Sequence, residues 1–435
     1  MPKPPLLSDS TSLFDRLADG ITLASRRWGR QGWWIFLLIF TLIIVTSLPS
    51  QGQSDRFSPN AKPITQSTAK PATEPTTEIR GVWLTNIDSE VLFRTDRVAE
   101  AVNTLSRLNF NTLYPTVWNW GYTLYPSSVA QKAIGQSMDP NQGLKGRDIL
   151  KEVTELGHKK GMTVIPWFEF GFMAPADSKL ALNYPQWLTQ RHDKSTVWLE
   201  GNLHQRVWLN PLNLEVQQLI THLVLEIVQN YGVDGIQFDD HFGYPADFGY
   251  DPDTVKLYRQ EHKGKLPPTN PQDKEWVRWR ADKITAFMKQ LTVAIKQVRP
   301  QAIISLSPNP QDFSLNSFLL DWKQWEEQGL IDELVLQVYR FDLKAYRREI
   351  SDISVQAAQN KIPFAVGILS GLKGRPVPIQ QIQEQVSEAR RQNLKGVSFF
   401  FYESLWNLGK ESAQDRQIAF QNLFAQPVPR PIRPS

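Results

Sequence analysis

The stretch Gly235-Ile-Gln-Phe-Asp-Asp-His241 ends an apolar run in two adjacent carboxylates and an imidazole. Side chains alternate along a strand, so Gln237 and Asp239 share one face and Ile236 and Phe238 the other. Asp239 is then a candidate nucleophile or base, with Asp240 and His241 at the rim of the same site. Glu169 closes a second apolar run, Trp167-Phe-Glu169, and shares a parity with Trp167. A carboxylate there is costly unless it is solvated or paired, which a site provides. Glu403 follows Phe399-Phe-Phe-Tyr402. Glu169, Asp240 and Glu403 are the candidates for an acid working opposite Asp239. Two carboxyl groups across one bond suit glycosidic cleavage, about 5–5.5 Å apart for retention and about 6.5–9.5 Å for inversion.

Rings and amides collect at the ends of the other apolar runs: Trp83 and Asn86, Trp118, Asn309, and Gln337 with Tyr339. Flat rings stack on sugar faces, while amides and hydroxyls bind sugar OH groups. With Gln237 and His241 these are the candidate substrate-binding residues for a polysaccharide. Other chemistries lack their residues. The chain has no cysteine, which removes thiol catalysis, disulfides and cysteine metal sites. No two of the six histidines lie three to five residues apart, so there is no metal-binding histidine helix. A cation held by Asp239, Asp240 and His241 is the metal alternative; the leading reading needs neither metal nor cofactor. No G-x-S-x-G elbow, Walker loop or dinucleotide fingerprint occurs. A net charge of +4 without a Lys/Arg block argues against nucleic acid as a partner.

The elements that must position these residues alternate regularly. Eight strand-like runs cover 79–87, 112–118, 162–170, 233–239, 302–307, 333–339, 364–369 and 396–402. Amphipathic stretches between them predict helices over 96–108, 148–160, 214–231, 274–298, 344–359 and 379–392, with Asp96 and Asp148 as N-caps. The runs are apolar with little polar alternation, as expected of parallel strands covered on both sides. Eight such units over 79–426 predict an α/β fold, a (β/α)8 TIM barrel with loop insertions whose active face lies at the C-terminal strand ends. The runner-up, a doubly wound sheet, would carry a Gly-rich turn after its first strand, and none follows Trp83. The longest insertion, 171–211, contains Trp187, Trp198, Trp208, His192 and His204 and reads as a lid or binding loop.

Four motifs occur in order on these runs: Arg80-Gly-Val-Trp-Leu-Thr-Asn86, Gly235-Ile-Gln-Phe-Asp-Asp240, Ser305-Leu-Ser-Pro308 and Leu336-Gln-Val-Tyr339. Together they make the chain resemble the glycosyl-hydrolase-like family 10. The resemblance implies a barrel that cleaves glycosidic bonds of bacterial envelope glycans, including peptidoglycan strands. It implies Asp239 as the strand-four carboxylate and Gln337 and Tyr339 as site-lining residues, and leaves the second carboxylate open. The alternatives are a non-catalytic glycan-binding barrel and a metal-dependent polysaccharide deacetylase.

The N-terminal 78 residues read as an address. Residues 32–48 are uncharged and apolar, follow Arg26, Arg27 and Arg30, and are near the minimum length for a bilayer span. The positive-inside rule leaves 1–31 in the cytoplasm and everything after the span outside it. The expectation is a single-pass inner-membrane anchor with a periplasmic body; the alternative is secretion after signal cleavage. Residues 49–78, rich in Pro, Ser and Thr, read as a disordered linker, and 427–435 as a flexible tail. The oligomeric state is left open.

Overall fold

The computed structural model describes residues 75–431 except Asn202. Eight strand positions pair in parallel: Ile79–Leu84 (β1), Thr112–Pro115 (β2), the two short pieces Thr163–Val164 and Trp167–Phe168 (β3), Gly235–Asp239 (β4), Ile303–Ser307 (β5), Glu333–Gln337 (β6), Phe364–Leu369 (β7) and Gly396–Phe400 (β8). Neighbours in the sheet are neighbours in sequence, and β8 pairs with β1. Pro166 splits β3. Its first piece pairs with β2 and its second with β4, and a bridge from Thr116 to Trp167 joins the second piece to the β2 side. Both ends of the sheet are thus halves of one extended segment, the α/β arrangement the alternation predicts.

A helix returns the chain after each strand: Thr95–Arg107 (α1), Ile149–Lys159 (α2), Leu214–Asn230 (α3), Lys274–Val298 (α4), Trp322–Glu327 (α5), Leu343–Ile350 (α6), Ile379–Arg391 (α7) and Ala413–Leu423 (α8). Asp148 caps α2 by accepting from the Lys151 N–H. Asp96 does not cap α1. It lies within the first turn and pairs with Arg94, the residue at the cap position. The single helix expected over 344–359 is two, because Asp352 caps a second start at Ile353.

Alternation along the strands produces two apolar layers. Ile236, Phe238, Phe168 and Phe399 join the large layer between sheet and helices. Ile79, Trp83, Tyr114, Ile165, Trp167, Val335 and Ala365 form a separate cluster enclosed by the strands. A polar chain crosses that interior. Trp83 Nε1 donates to Gln237 Oε1 at 2.7 Å, Gln237 Nε2 to Ser305 Oγ at 3.0 Å, and Ser305 Oγ to Glu333 Oε1 at 2.9 Å. Tyr114 OH donates to the same oxygen at 2.8 Å, and Arg430 bonds the other.

Both borders of the folded body differ from expectation. Glu78, assigned to the linker, is buried and paired with Arg80 and Arg390. The described part of the expected loose tail is held in place. The Glu78 N–H donates to Pro429 O at 3.0 Å, and Arg430 reaches Glu333 at the N-terminal end of the barrel strands. A carboxylate buried at that depth demands a counter-charge, and the tail supplies it. Among the described residues no helix is long and apolar enough to cross a membrane; the apolar run 32–48 lies outside them.

Candidate active site

The register of β3 against β4 sets Gln237 beside Trp167 and Phe238 beside Phe168; Asp239 is the last residue of β4 and Glu169 the first after β3, so the two carboxylates leave neighbouring strand ends. Adjacent strands run about 4.8 Å apart, so two inward carboxylates at these positions must interact. Both are almost fully buried. Glu169 Oε2 accepts from Asn119 Nδ2 at 2.8 Å and Thr116 Oγ1 at 3.1 Å. Burial, and then the Asp239 charge, push the Glu169 carboxyl up to about 8. Burial also raises Asp239; Asp240 adds to the rise and His241 opposes it. The Asp239 charge thus favours a protonated Glu169 over ionisation of both carboxyls.

His241 holds the cluster from the rim. Its backbone N–H donates to Asp239 Oδ1 at 2.9 Å, and its Nδ1 lies 3.0 Å from the same oxygen and 3.1 Å from Glu169 O. Burial works against charge on the ring, yet Asp240 and Asp239 lift it to about 10. An imidazolium donating to Asp239 favours its ionised form against the burial that raises it, and leaves Glu169, which lacks such a partner bond, the readier proton carrier. The chain approaches closely here. A Cβ on Gly171, whose φ is +49°, would stand 2.3 Å from His241 O. Only glycine lets the loop leaving β3 pass that carbonyl.

Around this centre Asn309 Nδ2 donates to Asp240 Oδ2 at 2.6 Å, and Asn119 Nδ2 also donates to Asn86 Oδ1 at 2.8 Å. Gln337 Nε2 bonds Ser307 O at 2.8 Å. Tyr339 stacks on Phe400 at 5.4 Å and feels Asp239, Asp240 and Glu169; burial first and then those charges keep its hydroxyl neutral. The Trp208 ring stacks on His241 at 5.8 Å. Among the described residues, Asp239, Asp240 and His241 are also the group that could ligate a cation, with atoms within 4.8 Å of one another.

The structure therefore assembles Asp239, Glu169, Asp240, His241, Asn86, Asn309, Gln337 and Tyr339 at one strand end. Four expected site residues stand elsewhere. Trp83 and Gln237 share parity with the site but sit deeper, where they are fully buried and bonded to each other. Trp118 is a core ring, stacked on Phe168 at 5.5 Å with its Nε1 bonded to Gly171 O. Glu403 belongs to a short helix, Tyr402–Trp406, so strand alternation no longer aims it; it accepts from the Val91 N–H at 3.1 Å. Two donors to Glu169 are not among the expected site residues: Asn119, which directly follows the run 112–118, and Thr116, whose inward parity with Tyr114 is the signal that points to it. The insertion after β3 is an ordered three-stranded antiparallel sheet, Met173–Pro175, Trp198–Glu200 and His204–Trp208.

Comparison with known proteins gives one family match: Glycosyl hydrolase-like 10, over residues 78–388. Glycosyl hydrolase DigH of Escherichia coli (strain K12) is 24% identical over 351 residues, covering 70% of this chain and 74% of that protein. Glycosyl hydrolase YngK of Bacillus subtilis (strain 168) is 23% identical over 340 residues, 70% of this chain and 58% of YngK. The glycoside hydrolase domain of PgaB (BpsB) from Bordetella bronchiseptica superposes with a TM-score of 0.59 at 10% identity, covering 80% of this chain and 99% of that domain. The catalytic domain of a Paenibacillus polymyxa beta-amylase gives 0.55 at 11%, covering 81% and 100%. The structural matches speak to the fold alone.

Proposed function

From the premise that this chain belongs to the glycosyl hydrolase-like 10 family, we propose that it hydrolyses O-glycosidic bonds in a bacterial envelope glycan, peptidoglycan strands being the leading substrate. The observation that carries this reading is the Glu169–Asp239 pair, two buried carboxyls at the ends of neighbouring strands, the Asp239 charge helping to hold the Glu169 proton. Glu169, protonated up to about pH 8, gives its proton to the leaving oxygen. Asp239, held as an anion by His241, attacks the anomeric carbon and forms a glycosyl ester. Glu169 then takes a proton from water, whose oxygen displaces Asp239. The close register favours the shorter carboxyl separation, so the expected stereochemistry is retention. Asn86, Asn309, Gln337 and Tyr339 supply hydrogen bonds to sugar hydroxyls. In this proposal 32–48 anchors the chain in the inner membrane and the barrel faces the periplasm.

The test is product mass analysis after incubating the protein with peptidoglycan and a panel of polysaccharides. Sugar fragments from the wild type, absent with Asp239→Ala, are expected. A binding protein would give no product from any glycan. A second reading, metal-dependent deacetylation, has the Asp239–Asp240–His241 cluster in its favour. It requires released acetate and loss of activity in EDTA; the hydrolase is expected to keep its full rate after chelation.

A further inference from the structure

A cleft of about 560 Å³ lies between the hairpin that follows β2 and the small sheet of the insertion after β3. Its walls carry Trp120, Tyr122, Asp177, His204 and Arg206. The hairpin strands Trp118–Asn119 and Tyr122–Thr123 are joined by Trp120 and Gly121, both left-handed at φ +57° and +75°. Such two-residue turns take Asn, Asp or Gly, because a bulky side chain is strained there. This turn instead holds a tryptophan that is 37% exposed. A ring kept both strained and in solvent is unexplained by packing. Its position is braced: the Arg206 guanidinium sits 5.4 Å from Trp120 and 5.2 Å from Phe170, and Glu200 fixes Arg206 at 2.8 Å. Phe170 in turn lies 5.8 Å from the His241 ring. Phe170 and His241 thus stand between the Arg206 wall of the cleft and the carboxylate pair. Beside it, His204 Nε2 is buried without a hydrogen-bond partner.

An exposed flat ring among polar side chains fits the apolar face and hydroxyl rim of a pyranose. We infer that this cleft is a distal sugar subsite, with Trp120 as its platform, that binds residues of a glycan chain beyond the scissile bond. The inference rests on the hydrolase reading and deepens it: the enzyme acts within chains and prefers long ones.

Kinetics on peptide-free peptidoglycan glycan strands, separated into long strands and tetrasaccharide, test it. The wild type is expected to show the lower KM on long strands. Trp120→Ala is expected to raise that KM about tenfold with little change in kcat, erasing the length preference. Trp120→Phe, which keeps a ring, should retain most of it. A Trp120→Ala enzyme that still prefers long strands, or that loses kcat equally on both, overturns the subsite. If the wild type cleaves neither fraction, the hydrolase reading fails, and calorimetric titration with the long strands decides the cleft alone. Binding weakened about tenfold by Trp120→Ala supports it, whereas absent or unchanged binding overturns it.

Discussion

At the residue scale the chemistry depends on which of two neighbouring carboxyls keeps a proton. Glu169 is bonded only by neutral donors, Asn119 and Thr116, whereas Asp239 faces the His241 cation. Activity should therefore fall as pH rises through about 8, when Glu169 loses the proton it must deliver. A pH–rate profile checks this, and an enzyme that stays fully active well above that limb would assign the acid to another group. The same shift has a stability consequence. Because the folded value lies above the ordinary 4.5, the folded state binds the Glu169 proton more tightly, and this stabilisation is fully present only below 4.5. It is lost as pH rises toward 8. Glu169→Gln removes that loss, so the inactive variant should be the more stable protein at about pH 9, by roughly 1–3 kcal/mol. Denaturant unfolding at acid and alkaline pH measures the crossover, and equal stabilities at both would contradict the burial of an ionisable Glu169.

At the element scale, strands are aimed by parity and filled by depth. Parity put Gln237 and Asp239 on one face, correctly, but only depth separates them. Asp239 ends β4 at the open face, while Gln237 is two residues lower and closes the polar chain from Trp83 to Glu333. That chain depends on the C-terminal tail, because Arg430 pairs with Glu333 at the far end of the barrel. Arg430→Met should cost about 3 kcal/mol by leaving a buried carboxylate without its cation. Adding Glu333→Gln to that variant should recover most of the loss. Thermal melts of the single and double variants report this, and an unchanged melting temperature for Arg430→Met would show the tail to be dispensable.

For the whole molecule, the described body begins near Glu78, whose carboxylate is shared by Arg80 and Arg390, and ends where the tail meets that same corner. Both termini of the body thus lie at the end opposite the site. The proposed anchor makes a direct expectation: the full chain sediments with membranes, and removal of residues 1–48 releases an active soluble enzyme. Release without the deletion would favour cleavage of the segment as a signal.

The eight strand runs, six of the helical stretches between them, the shared face of Gln237 and Asp239, and the family were legible from sequence, while the partner carboxylate of Asp239 was left open among Glu169, Asp240 and Glu403. What was legible rests on local rules, periodicity of apolar residues and motifs on contiguous runs. What could not be read locally was decided by neighbours distant in the chain. Which inward residues reach the open face, that Glu403 turns off into a short helix, and that Thr116 and Asn119 flank Glu169 all follow from register between strands. Arg430 is the plainest case. Nothing in a Pro- and Arg-rich tail announces a partner, because the Glu333 charge that holds it is 97 residues away in sequence and buried only once the barrel exists.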